Sequence, residues 1–294
     1  MVWGSESWIL SGHVDHQTAV AGGSFKGILT NDLLPVFGDE ILGERLHELY
    51  GDKFPLLIKF IDAKDDLSIQ VHPNDELAAA RHNDKGKTEM WYVVDAAPGA
   101  TLYAGMKEEI NPELYEKLIA ENRITDVLAK HEVHKGDVFF LPAGRVHAIC
   151  SGCYLAEIQQ TSDLTYRIYD YNRPGMDGKP RQLHTELAKD AIDYKVYPDY
   201  RTPYTEVWNE EIVLVECQYF TTSLYRLNKE LKQNISKLDS FEIVICTEGS
   251  ATITTDEGSV SIAAGESALV SCSSKKLTFT PDTPEATLVV SRID

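Results

Sequence analysis

Short apolar runs and two-residue alternation, the pattern of β-strands, dominate three stretches of this chain: residues 54–103, 131–169 and 213–280. In the first stretch, residues 56–61 read as a buried strand. Leu67-Ser68-Ile69-Gln70-Val71-His72 then places Ser68, Gln70 and His72 on one face. That face is polar where a sheet ordinarily buries hydrophobic side chains. Another apolar run, Glu89-Met90-Trp91-Tyr92-Val93-Val94, opens shortly after Lys87. In the second stretch a turn at Gly136 leads into an apolar strand, Pro142-Ala143-Gly144 reverses the chain, and His147 opens the next strand. The third stretch predicts strands at 213–227, 240–247, 251–254, 259–262, 268–271 and 277–280.

Helical spacing interrupts this pattern at few places. Residues 39–50 carry Ile41, Leu42, Leu46, Leu49 and Tyr50 on one side, with Gly51 placed to stop them. A short helix is expected at 74–81. Asn111 as N-cap and Pro112 as first residue announce another through about Asn122, and a fourth is expected over 184–194. Before residue 55 the chain reads as an irregular lead-in with helical pieces and one strand at 5–13, where His13 and His16 read as a strand-end pair. Residues 195–203, rich in Tyr, Pro and charge, read as a linker. These boundaries predict a first domain at 1–200, with a helical insertion around 105–130, and a second at 205–294. The second domain looks like a worn copy of the first. Glu242-Ile243-Val244-Ile245 parallels Glu89-Met90-Trp91-Tyr92, but Ser271-Cys272-Ser273-Ser274-Lys275-Lys276 stands where the first copy has Pro142 to His147, and it contains no histidine.

Composition narrows the class more than the function. In 294 residues, 43% hydrophobic content supports a substantial core. No apolar stretch approaches the ~18 residues of a membrane span. The first twenty residues lack a basic region followed by an apolar run, so the chain reads as soluble and untargeted, with no membrane partner. Five cysteines, an odd number, argue against a disulfide framework and for a reducing cytoplasm, and the single CxxC, Cys150 to Cys153, lacks a thioredoxin-like setting. A net charge of −18 disfavours nucleic acid, whose phosphates demand clustered Lys and Arg. The same charge sits oddly with a phosphorylated substrate, unless a few basic side chains in a cleft outweigh the acidic exterior.

The segment Gly136 to His147 has the spacing G-x5-P-x-G-x2-H, which resembles the second motif of the cupin superfamily of small β-barrels. With it, Gln70-Val71-His72 and Glu89 resemble the first cupin motif, with Gln in place of the first His and a long insertion before the Glu. The resemblance implies that Gln70, His72, Glu89 and His147 hold one Zn²⁺ or similar divalent ion per chain, a mixed N/O set with a position open to substrate. A narrower resemblance follows from four ordered strings: SIQVHP (68–73), GKTEMWYV (86–93), LPAGRVHAI (141–149) and LTYRIYD (164–170). Together these are similar to the type I mannose-6-phosphate isomerase family in its short bacterial form, over about residues 3–200 and more loosely beyond. This implies a mainly β fold of two cupin-like (jelly-roll) β-barrels with a few short helices, and a metal site in the N-terminal barrel only. The chain departs from the family pattern at Ile9, where an acidic residue is common, and at Gly86 and Thr88, which flank Lys87 where His and Pro are frequent.

The implied reaction interconverts mannose-6-phosphate and fructose-6-phosphate through a cis-enediolate. It needs a base near the carbon, stabilisation of the enediolate charge, and a grip on phosphate. A Gln ligand leaves only one carboxylate, so a bound Zn²⁺ would keep a positive charge of about one. In the family, the region of Glu157, Asp163 and Arg167 lines the active site. The resemblance assigns Arg167 to steering substrate and stabilising the enediolate; an ion pair with Asp163 or Asp170 is its structural alternative. Glu157, Asp163 and Lys87 are candidates for the base, while Arg81, Lys87, Arg145 and Ser68 are candidates for the phosphate. A non-catalytic sugar-phosphate-binding cupin is the competing reading. A cupin oxygenase is disfavoured, because a fourth ligand at Gln70 takes a position that oxygen chemistry needs.

Overall fold

The structure is a computed structural model, described here for residues 3–175 and 178–294. In chain order its elements begin with β1 (Gly4–Leu10), α1 (Thr30–Leu42), α2 (Glu44–Tyr50), β2 (Leu56–Ala63), β3 (Ile69–Val71), α3 (Asp75–His82), β4 (Glu89–Ala96) and β5 (Thr101–Met106). They continue with α4 (Pro112–Ala120), β6 (Leu128–Glu132), β7 (Val138–Leu141), β8 (His147–Ile149), β9 (Cys153–Gln160), β10 (Tyr166–Tyr169) and α5 (Thr185–Ala191). The remainder is all strand: β11 (Ile212–Glu216), β12 (Thr221–Leu227), β13 (Leu231–Asn234), β14 (Glu242–Glu248), β15 (Ser250–Thr255), β16 (Ser259–Ala263), β17 (Ser267–Val270), β18 (Lys276–Pro281) and β19 (Ala286–Arg292). Among the described residues, no helix is long and apolar enough to cross a membrane.

The chain divides into two compact units. One comprises Lys59–Thr202 and the segment ending at Ser7; the other comprises Trp8–Ile58 and Pro203–Asp294. Residues 8–58, which the sequence pattern groups with the first domain, therefore pack with the C-terminal segment.

In the first unit, the sheet ordered β1-β2-β9-β4-β7 faces a second ordered β10-β3-β8-β5-β6. Trp91, Val93, Phe139, Leu141 and Leu155 of the first sheet meet Leu102, Ala104 and Ile149 of the second in one buried cluster. The second sheet is covered on its other side as well. Tyr115 and Leu118 of α4 and Ala188 of α5 pack on Ile69, Val71, Val146, Ala148, Tyr166 and Ile168.

That double coverage explains the polar face of residues 68–72. Strand side chains alternate, so once Ile69 and Val71 are committed to the helices, Ser68, Gln70 and His72 turn inward between the sheets. The same parity turns His147 inward opposite Ala148, and Arg167 away from the helix-packed Tyr166 and Ile168. In the first sheet, Glu89 shares the inward parity of Trp91 and Val93, Glu157 that of Leu155, and Lys59 that of Ile61 and Ala63.

The second unit repeats this plan. Its sheets are β11-β12-β19-β14-β17 and β13-β18-β15-β16, the first in the same relative order as its counterpart. Tyr225, Val244, Cys246 and Leu288 meet Ile253, Leu277 and Phe279 in its core. In register, Glu242 opposes Val270 as Glu89 opposes Leu141. The predicted strand 213–227 is a hairpin, β11 and β12. The predicted helix 39–50 is split at Gly43, with its first turn belonging to α1. Residues 195–203 are irregular but fastened: Tyr200 is buried, its hydroxyl donates to the Met106 carbonyl at 2.7 Å, and Thr202 N donates to the Val138 carbonyl at 2.8 Å.

Candidate metal centre and active site

His72, Glu89 and His147 each present a ligand atom within 4.8 Å of the others, and all three are buried. Their second nitrogens fix the tautomers. His72 Nδ1 donates to the Leu164 carbonyl at 2.7 Å and His147 Nδ1 donates to the Arg145 carbonyl at 2.8 Å, so both Nε2 atoms carry lone pairs in the neutral rings. His72 Nε2 lies 3.5 Å from Glu89 Oε2, and His147 Nε2 lies 3.1 Å from Glu89 Oε1. Burial, reinforced by the Lys87 charge, pushes His72 well below the ordinary imidazole range, so its Nε2 faces the carboxylate without a proton.

Neither Glu89 oxygen nor His72 Nε2 has a hydrogen-bond partner of good geometry. Three convergent, buried acceptors repel one another, and this donor set fits a divalent cation. Burial works against ionising Glu89, but Lys87 and the two imidazoles outweigh it and hold the carboxyl well below its usual range. The Gln70 amide completes the ring of donors, with its nitrogen 3.3 Å from His147 Nε2. Rotating the amide by half a turn presents Oε1 at the same point.

Lys87 lies on the Glu89 face, with Nζ 3.0 Å from Glu89 Oε2, and is 3% exposed. Burial lowers its proton affinity, yet Glu89 and Glu157 reverse the effect and raise it above the ordinary lysine value. The segment carrying Lys87 is tightly held. Thr88 N donates to Gln160 Oε1 at 2.8 Å, Lys87 N donates to the Pro73 carbonyl at 3.1 Å, and Ser162 Oγ donates to the Lys85 carbonyl at 3.0 Å. A Cβ on Gly86 would come within 2.6 Å of the Asn74–Asp75 backbone, so this path admits no side chain there.

Glu157 is buried beside Trp91, its Cα partner across the sheet. Its Oε2 accepts from Trp91 Nε1 at 2.8 Å, and its Oε1 lies 3.5 Å from Lys59 Nζ. Lys59 is one site residue that the sequence pattern does not single out. Its signal is a lysine set within the apolar run Leu56 to Ile61, since a buried lysine needs a partner. Asp163 sits on an exposed loop, close enough for its charge to add to the proton affinity of Lys87.

Arg167 opposes Gln70 in register. Its Nε donates to Ser68 Oγ at 3.3 Å and its Nη1 donates to the Gln182 carbonyl at 3.0 Å. The alternative pairing with Asp170 is already taken. Arg181 grips that carboxylate at 2.6 and 2.7 Å, and Arg173 donates to it at 3.0 Å. Burial, with the nearby charges of Arg181 and Arg173, lowers the proton affinity of Arg167 despite the opposing pull of Asp170. Three guanidinium groups thus gather around one aspartate, and Arg173 and Arg181 were not among the expected site residues. Two phosphate candidates are engaged elsewhere: Arg81 pairs with Asp190 and donates to the Leu187 carbonyl, and Arg145 is stacked on Tyr197 and Tyr200 at 4.6 and 4.7 Å.

Residues 4–97 match a family model described as phosphomannose isomerase type I, catalytic domain, and residues 210–293 match one described as mannose-6-phosphate isomerase, cupin domain. The mannose-6-phosphate isomerase ManA of Bacillus subtilis is 36% identical over 230 residues, covering 76% of this chain and 70% of that one. A crystal structure of the mannose 6-phosphate isomerase from Bacillus subtilis superposes with a TM-score of 0.86 at 30% identity, covering 97% of this chain and 88% of the other. A zinc-bound holo mannose 6-phosphate isomerase shares the fold with a TM-score of 0.78 at 18% identity, covering 98% and 91%.

Proposed function

This chain belongs to the type I mannose-6-phosphate isomerase family, an isomerase family of cupin-type fold, and on that premise we propose that it interconverts mannose-6-phosphate and fructose-6-phosphate through a cis-enediolate. The observation that carries the reading is the convergence of His72 Nε2, His147 Nε2 and both Glu89 oxygens, with Lys87 3.0 Å away, on one buried point. In this reading Gln70, His72, Glu89 and His147 hold one divalent ion, with zinc favoured by the mixed imidazole and oxygen set. When bound, that ion supplies Lewis-acid stabilisation of developing negative charge on the substrate oxygens.

The chain's own groups supply the remaining roles. Glu157 is the base: it is a buried carboxylate, oriented by the Trp91 N–H and accompanied by Lys59 rather than by solvent. Lys87, paired with Glu89, acts as a cationic donor toward a substrate oxygen. Arg167 stabilises the enediolate, and the excess positive charge of Arg167, Arg173 and Arg181 over Asp170 holds the phosphate, with Ser68 beside it. This cluster supplies the local basic charge that the acidic chain as a whole lacks.

The two units are read as two cupin-like barrels, with catalysis in the first. The second retains Glu242 in the register of Glu89, yet residues 205–294 contain no histidine, so it serves as support. The five free cysteines favour a reducing, cytoplasmic setting. The test is formation of fructose-6-phosphate from mannose-6-phosphate by purified protein. Turnover supports the assignment. Binding of the sugar phosphate without turnover would support the sensing alternative instead.

A further inference from the structure

β10 is the edge strand of its sheet, so the outward N–H and C=O of its residues have no ladder partner. At Arg167 one residue fills both vacancies. Arg167 N donates to His184 Nδ1 at 3.1 Å, and His184 N donates to the Arg167 carbonyl at 2.7 Å. The ladder with β3 is irregular just beyond, between Arg167 and Tyr169, so this clasp stands where strand pairing gives way. Two residues earlier, the Gln182 carbonyl accepts from the guanidinium itself.

We propose that His184 is a positioning residue for Arg167, holding its backbone at the sheet edge through a neutral imidazole whose Nδ1 accepts. The inference rests on the role given to Arg167 above. It assigns the short segment 182–184, just before α5, the task of aiming the guanidinium at Ser68 and the bound substrate.

The chemistry makes the clasp sensitive to protonation. A second proton on His184 converts Nδ1 into a donor facing the Arg167 N–H, another donor, and the contact is lost. Among the described residues, the titratable and charged groups that face His184 are Arg167 and Tyr166 on β10 and His82 on α3. Burial, helped by the charges of Arg167 and His82, lowers the His184 proton affinity and keeps the accepting form at neutral pH. Acid therefore breaks the imidazole arm of the clasp and leaves Arg167 held only by the backbone bond from His184 N and by its side-chain contacts.

The test compares metal-loaded wild type, H184N, H184A and R167K over about pH 5 to pH 8. It reads kcat and KM for mannose-6-phosphate together with bound-metal content. The Asn amide oxygen can accept where Nδ1 does, but it does not titrate. H184A is expected to lower kcat about tenfold with metal content unchanged. H184N is expected to restore kcat at neutral pH and to extend activity further into acid than wild type. An H184A enzyme with wild-type kcat, or an H184N pH profile that superimposes on the wild-type profile, overturns the proposal. If H184A does not fold, the H184N profile decides. An unimpaired R167K removes the role of Arg167 on which the inference rests, whereas an impaired R167K beside a wild-type H184A overturns only the role of His184.

Discussion

Replacing Glu242 with glutamine should make the second unit more stable in mild alkali and flatten its response to pH. Glu242 is 3% exposed, its Oε2 has no partner, and its Oε1 lies 3.7 Å from Arg292 Nη1. That guanidinium is already committed to Glu211 Oε1 at 3.2 Å and Asp294 Oδ1 at 2.8 Å. Burial therefore dominates over the incomplete attraction of Arg292, and the Glu242 carboxyl is pushed up from 4.5 to about 7. The folded unit binds this proton more tightly than the unfolded chain does. The stability it contributes is complete below about pH 4.5 and is lost as pH rises through about 7.

At about 1.4 kcal/mol per unit, the full loss is about 3 kcal/mol. Glutamine keeps the shape without the charge. E242Q should therefore match wild type near pH 4 and exceed it by up to about 3 kcal/mol at pH 8. Hydrogen exchange of β14 and β19 amides reports this unit directly, which matters because a chain of two units need not unfold in one step. Parallel stability curves for the two proteins, or an E242Q protein less stable than wild type at pH 8, would refute the argument.

Other outcomes follow from the same geometry. E157Q should lower kcat by about a hundredfold or more with little change in KM, since it removes the base and keeps the Trp91 hydrogen bond; steady-state kinetics decide it. R181A should raise KM for mannose-6-phosphate about tenfold or more and leave any weak turnover of unphosphorylated mannose unchanged, because it removes one charged partner of the phosphate. G105A should destabilise the first unit by about 3 kcal/mol: φ at Gly105 is +79°, and a Cβ would fall 2.0 Å from the Tyr200 ring, which Met106 holds in place. Thermal unfolding would show it.

The metal-ligand motifs were legible because each sits on or beside a strand, where period-two alternation ties sequence parity to a face. Once Ile69, Val71 and Ala148 pack on helices, Gln70, His72 and His147 have only one way to point. The Lys87–Glu89 pair was legible for the same reason. Features that depend on contacts between distant segments were not. The arginine cluster joins Arg173 and Arg181 to Asp170 from a stretch of sequence with no periodicity, and Arg145 finds its aromatic partners more than fifty residues later, in a stretch that reads as linker. Residues 30–42 are helical on both sides of a kink at Phe37, between Pro35 and Gly38, and burial of Leu34 and Leu42 anchors the two pieces. β19, a central strand of the second unit, lies beyond the last predicted strand at 277–280, although ATLVVSR carries the apolar run Leu288 to Val290.

The most direct test of the account is a metal titration of activity. Protein stripped by a chelator should lose conversion of mannose-6-phosphate to fructose-6-phosphate and regain it as zinc is returned, with recovery complete at about one ion per chain. H147A should fail to recover at that ratio. Full activity in protein shown by elemental analysis to be free of metal, or full recovery of H147A at one equivalent, would contradict the site described here.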